Sequence, residues 1–129
     1  TVKKYGLAIK HVKNQTEEIC LEAVKQNGAV LEYVQYQTDE ICLEAVKNYG
    51  TGLQFVKNQT ESICIQAVTT CSYSLVFVVN QTESICLHAV KQNGNILKCV
   101  KKQTRKICEE AVKQNLVAKN YVNNKYQNI

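Results

Sequence analysis

The sequence predicts an all-α fold: a right-handed α-solenoid built from 22-residue units of two short helices each. Three observations carry that expectation. The first is a strict period. Thr16, Thr38, Thr60, Thr82 and Thr104 stand 22 residues apart, as do Cys20, Cys42, Cys64, Cys86 and Cys108, and Ala23, Ala45, Ala67, Ala89 and Ala111. Self-similarity at such a period marks a repeat architecture. The second is helical spacing inside the unit: Ile19, Cys20, Ala23 and Val24 fall on one face of a helix. The third is punctuation, because each copy opens on a Gln-Thr pair and several close on Gly.

The elements follow in order. Thr16 caps a first helix by accepting from the free amides of its first turn. Glu17 and Glu18 lie in that turn, where the helix dipole favours anions. This helix spans about 12 residues and ends at Asn27-Gly28, with Gly expected in the left-handed conformation. A second helix of about 8 residues, "AVLEYVQY", buries Leu31 and Val34 before a polar turn. One such hairpin has too little apolar surface to bury alone, but stacked hairpins cover one another.

The chain is read as one repeat domain, 1–129. It comprises a partial unit (1–15), units at about 16–37, 38–59, 60–81 and 82–103, and a capping unit (104–129). Val2, Lys3 and Gly6 match Val24, Lys25 and Gly28, so the array opens half-way through a unit. With no methionine anywhere, this suggests a processed chain or a piece of a longer one. At the far end Glu109 and Lys119 replace core leucines, as befits a cap. Leu116 stands in the Gly column, so 104 to about 124 is expected as one longer helix. One rival architecture uses the same residues: a continuous helix with an 11-residue repeat, in a right-handed coiled coil or on a lipid surface. Gly at 6, 28, 50 and 94 argues against it, at about 1 kcal/mol each inside a helix.

Composition narrows the class. The chain is 45% hydrophobic and 21% charged, which suits a globular protein. The longest apolar run, Leu75 to Val79, is far shorter than the roughly 18 residues of a membrane helix. Seven cysteines and no proline suit a reducing compartment better than a secreted disulfide scaffold. The five periodic cysteines read as small core hydrophobes. One layer of helices separates neighbouring copies, too far for a disulfide ladder. Cys71 and Cys99 fall outside the column, and Cys71 is the better candidate for a reactive thiol. His11 lies in a mostly aromatic column and is expected half-buried; His88 is expected in solvent. No metal-ligand spacing, phosphate loop or catalytic constellation stands out, so no cofactor and no catalytic residue is assigned.

Charge is more informative. Residues 1–64 hold seven Lys against eight Asp/Glu, a net of −1, whereas residues 65–129 hold nine Lys/Arg against three Glu, a net of +6. A basic cluster, Lys98, Lys101, Lys102, Arg105 and Lys106, dominates the second half. Arg105 and Lys106 stand where other units carry Glu, Asp or Ser, and cations at a helix N-terminus oppose the dipole. A second feature is the column Lys3, Lys25, Lys47, Lys91 and Lys113, a stripe that could track phosphates once stacked. The aromatic column Tyr33, Phe55 and Phe77 is the candidate protein-contact surface.

The unit "EICLEAVKQNG", continued by "YV" and the next "QT", resembles a short helical repeat of unknown function. That repeat occurs in mimivirus-like giant viruses of amoebae and in Legionella proteins. The resemblance covers nearly the whole chain, and five copies agree. It implies an all-helical fold and a viral or amoeba-associated origin, and it transfers no catalytic residues. The resulting expectation is a non-enzymatic helical-repeat protein of viral origin, acting as a protein–protein interaction scaffold. The alternative is a sequence-non-specific nucleic-acid-binding protein, virion- or genome-associated. Its expected setting is reducing and intracellular, in host cytoplasm or virion. No membrane partner is expected, and self-association through the open N-terminal edge fits either reading.

Overall fold

The computed structural model describes Ile9 and residues 11–128. Val2, Lys3 and Gly6, and with them the opening half-unit, lie outside the described residues. Among the described residues, five α-helices of ten residues recur at 22-residue steps: α1 (Glu17–Gln26), α2 (Asp39–Asn48), α3 (Glu61–Thr70), α4 (Glu83–Gln92) and α5 (Arg105–Gln114). Between and after them run 3-10 helices at Gly28–Tyr33, Gly50–Phe55, Ser72–Phe77, Gly94–Cys99 and Leu116–Tyr121, followed by a short turn at Asn124–Tyr126. Each α-helix packs on the next α-helix, and each 3-10 helix on the next 3-10 helix. No strand occurs among the described residues.

The α-helices start as expected. The Oγ1 atoms of Thr16, Thr38, Thr60, Thr82 and Thr104 accept from the amide three residues on, at 3.2–3.3 Å. The core is a repeated set: Cys20, Ala23, Val24, Leu31 and Val34 in the first complete unit, with Ile41, Ile63, Ile85 and Ile107 completing it in later ones. The rival continuous helix is absent, because every described unit breaks twice.

Three expectations need correction. The second helix is a six-residue 3-10 helix rather than an eight-residue α-helix. Its buried pair, Leu31 and Val34, is spaced i, i+3, which a helix of three residues per turn aligns on one side. Next, no described glycine has a positive φ, and Asn27 leaves α1 in an extended conformation, its side chain accepting from the Ala29 amide. Gly28 is needed for space instead. A Cβ there would run into the Ala45 carbonyl and stand 2.7 Å from the Tyr49 Cβ; at Gly50 it would meet the Ala67 carbonyl oxygen at 2.8 Å. The column thus lets each 3-10 helix lie against the C-terminal end of the next α-helix, although Ser72 shows that one junction takes a Cβ. Finally, 104–124 is not one helix. α5 ends at Gln114, and Asn115 accepts from the Val117 amide at 3.0 Å, the same cap that Asn27 and Asn93 make. Tyr49 and Cys71 take the same extended conformation without a side-chain bond, so the turn needs neither a left-handed Gly nor, in every unit, an Asn.

The glutamine before each threonine ties the stack together. Gln37 donates Nε2–H to the carbonyl of Phe55 at 2.8 Å, and its Oε1 accepts from the Lys57 amide at 2.9 Å. The same pair of bonds joins Gln15 to Tyr33 and Gln35, Gln59 to Phe77 and Val79, Gln81 to Cys99 and Lys101, and Gln103 to Tyr121 and Asn123. Gln37 and Gln81 also reach back to the carbonyls of Leu31 and Leu75 at 3.3 Å. One side chain therefore holds the loop before it and the loop one unit ahead.

Gln59→Ala removes these bonds and leaves a backbone amide and a carbonyl without partners, a loss of about 1–3 kcal/mol. Urea unfolding should show it, while the exposed neighbour change Asn58→Ala should stay within about 0.5 kcal/mol. Gly94→Ala forces a Cβ against the Ala111 carbonyl and should cost about 1–3 kcal/mol by overpacking, read from the same unfolding curves.

Candidate interaction surfaces

The stack has two edges that differ in charge. At the N-terminal ends of the helices lie Glu17, Glu18, Asp39, Glu40, Glu61 and Glu83; at the C-terminal ends of α1, α2, α4 and α5 lie Lys25, Lys47, Lys91 and Lys113. Both sets carry the charge that the local end of the helix dipole favours. Two acids also stitch units together. Thr82 Oγ1 donates to Glu61 and Thr104 Oγ1 donates to Glu83, each at 2.7 Å, while both hydroxyls still cap their own helices.

The four described lysines of the stripe are exposed, and Thr69 interrupts it in α3. Lys47 makes an ion pair of 3.6 Å with Glu44. The basic cluster lies at the other edge. Lys98 sits on Gly94–Cys99, Lys101 and Lys102 in the following turn, and Arg105 and Lys106 in the first turn of α5; all five are exposed. Arg105 Nε bonds Glu109 Oε1 at 2.9 Å, which offsets part of its conflict with the dipole. Arg105 and Lys113 are about 12 Å apart along the helix axis, at 1.5 Å per residue. Stripe and cluster are therefore separate surfaces.

The aromatic column is only partly open. Phe55 and Phe77 are half-buried against the core and Tyr33 is 36% exposed. Their carbonyls are the ones the glutamines hold. Glu32 beside Tyr33 raises the phenol pKa. His11, expected half-buried in this column, is exposed; His88 is exposed as expected, its Nδ1 2.8 Å from the Ser84 carbonyl oxygen.

The periodic cysteines are buried and unbonded to one another. Each thiol also has a polar partner, because Cys20, Cys42, Cys64, Cys86 and Cys108 point S–H at the Oε1 of Gln15, Gln37, Gln59, Gln81 and Gln103, at 3.2–3.7 Å. A small hydrophobe with a weak donor suits that place better than Ala or Val. Burial, aided by the nearby Asp39 or Glu83 carboxylate, raises the Cys42 and Cys86 thiols from 9.0 to about 11. Cys71 and Cys99 are half-buried.

A cleft of about 250 Å³ opens where the second, third and fourth complete units meet, lined by Lys57, Gln59, Glu61, Cys64, Val79 and Thr82 among others. It is smaller than the roughly 300–1,000 Å³ of drug-sized ligand sites. Among the described residues no group of three His, Cys, Asp or Glu is placed to hold a metal ion, and no helix is long and apolar enough to cross a membrane. No family model, curated protein or solved structure matches the chain.

Two features escaped the sequence reading. Its quoted repeats already contained the signal for the glutamine column, since a polar residue recurred in every copy where a loop would accept others. The second is the outward side of Leu75–Val79, read only as too short for a membrane.

The thiols make a prediction about pH. Folding raises the pKa of Cys42 and Cys86, so their contribution to stability is complete below about pH 9 and is lost as pH climbs towards 11. The urea midpoint should fall across that window, and fall less in Cys42→Ala/Cys86→Ala. Parallel falls in both proteins would contradict the assignment.

Proposed function

We propose that the chain is a non-enzymatic helical-repeat protein whose stacked 22-residue units, wound as a right-handed solenoid, serve as a protein–protein interaction scaffold. Its resemblance to giant-virus and Legionella repeats supports a viral or amoeba-associated setting. One observation carries the scaffold reading. The side chains that hold the stack are nearly constant from unit to unit, whereas the exposed columns change freely. Glu32, Gln54, Val76 and Lys98 occupy one such column, and Gln35, Lys57, Val79 and Lys101 another, all at the surface. A rigid frame with a variable surface is what repeat scaffolds use for recognition. Photo-crosslinking residues placed at positions 32, 54, 76 and 98 should each be tried in amoebal extract. A discrete protein adduct from at least one position is expected, and none from any of them would refute the reading.

A second reading has its own observation. The five cations at 98–106 are exposed, Arg105 replaces the acids of other units, and Lys106 stands where they carry Glu or Ser. That surface would suit phosphates without base readout. Binding to duplex and single-stranded DNA across a salt series tests it. Changing Lys101, Lys102, Arg105 and Lys106 to Glu should flatten the log–log salt slope by about 3–4 if these residues contact phosphate. No binding at low salt removes this reading.

A further inference from the structure

The run Leu75-Val76-Phe77-Val78-Val79 is only partly used by the fold. Leu75 and Val78 are core residues and Phe77 is half-buried, but Val76 is 45% and Val79 79% exposed. The same two positions carry Glu32 and Gln35, Gln54 and Lys57, or Lys98 and Lys101 in the other units, all exposed. Polar residues therefore satisfy the fold there, and folding gives no reason for aliphatic ones in the third unit. Apolar side chains held in water and rimmed by charge mark interaction sites.

The rim is cationic. Consecutive packing of Gly50–Phe55, Ser72–Phe77 and Gly94–Cys99 places Lys57 on one side of the valines and Lys98 and Lys101 on the other. Lys57 and Val79 line the same cleft. Among the described residues the ion pairs are Lys47–Glu44 and Arg105–Glu109, so these three lysines have no carboxylate partner. Glu61, the carboxylate in that cleft, accepts from the Thr82 hydroxyl.

We propose that this strip docks an acidic peptide segment carrying aliphatic anchors. The anchors lie on Val76, Val79 and the open edge of Phe77, and the carboxylates of the segment meet Lys57, Lys98 and Lys101. The proposal rests on the scaffold reading and names its partner chemistry. Charge complementarity favours an acidic chain, and the valines favour peptide over nucleic acid. A phosphate backbone gains nothing from two aliphatic residues set where neighbouring units carry lysine.

The test is panning of a displayed library of short random peptides on the full chain. A counter-selection uses Val76→Gln/Val79→Lys, which copies Gln54 and Lys57 into the third unit and leaves the core intact. The enriched peptides should be rich in Asp and Glu with interspersed Leu, Ile, Val or Phe. A fluorescein-labelled copy should bind the double variant about tenfold more weakly, although that variant carries one more positive charge. Lys98→Gln/Lys101→Gln should weaken binding several-fold and reduce its salt dependence. Equal or tighter binding by V76Q/V79K, or enrichment of basic peptides, would overturn the proposal. So would binding to phosphatidylserine vesicles through the valines with no peptide enriched, which would assign the strip to a lipid surface. Peptides indifferent to V76Q/V79K would remove the strip and leave the scaffold reading standing. No enriched peptide, together with no crosslinked protein, would remove both.

Discussion

A half-buried side-chain amide that is asked to satisfy two loops at once imposes a demanding constraint on a stacked array. In this chain the glutamine before each capping threonine does that. Its Nε2 donates to a carbonyl 18 residues ahead and its Oε1 accepts from an amide 20 residues ahead. Both partners lie in a turn that helices leave unpaired, and unpaired backbone groups are expensive once shielded from water. The bond pattern also fixes the unit length. Inserting or deleting a residue between Gln59 and Val79 would move carbonyl and amide out of reach together. The 22-residue period is thus maintained by hydrogen-bond geometry as well as by side-chain packing.

Other features follow from that clamp. The thiol that points at the glutamine oxygen gives every copy a reason to keep cysteine on the buried face of its α-helix. The glycines admit the next unit closely enough for the clamp to close. The threonine caps its own helix and, in the last two units, donates to an acid of the preceding one. Core and connections are nearly the same in each unit, so variation is confined to exposed positions. The candidate recognition surfaces lie there: a cationic cluster at one edge, a lysine stripe at the other, and two exposed valines between lysines on the 3-10 face.

Much of this was legible from the residues. The period located α1 to α4, and the start of α5, to within about two residues, because Thr caps and the Ile, Cys, Ala, Val face are strong local signals. Burial of the cysteine column followed from the same face. The 3-10 helices were not legible as such, since Leu31 and Val34 fit an i, i+3 spacing that both helix types share at that length. Gly28 was misread because glycine after a helix more often marks a left-handed turn than a close approach by another segment. Leu116 led to an over-long last helix because the role of Asn115 as cap was hidden behind it. The separation of the lysine stripe from the basic cluster was implicit in helix direction: residues in the last turn and residues in the first turn belong to opposite edges.

Native-state hydrogen exchange on the unmodified chain tests the glutamine clamp most directly. The amides of Lys57, Val79 and Lys101 lie outside the helices, yet each donates to a glutamine one unit back. They should exchange slowly, with protection close to that of helix-interior amides, while the next amides along, Asn58, Asn80 and Lys102, exchange fast. Fast exchange at all six would show that the units are held by side-chain packing alone, and would contradict the account.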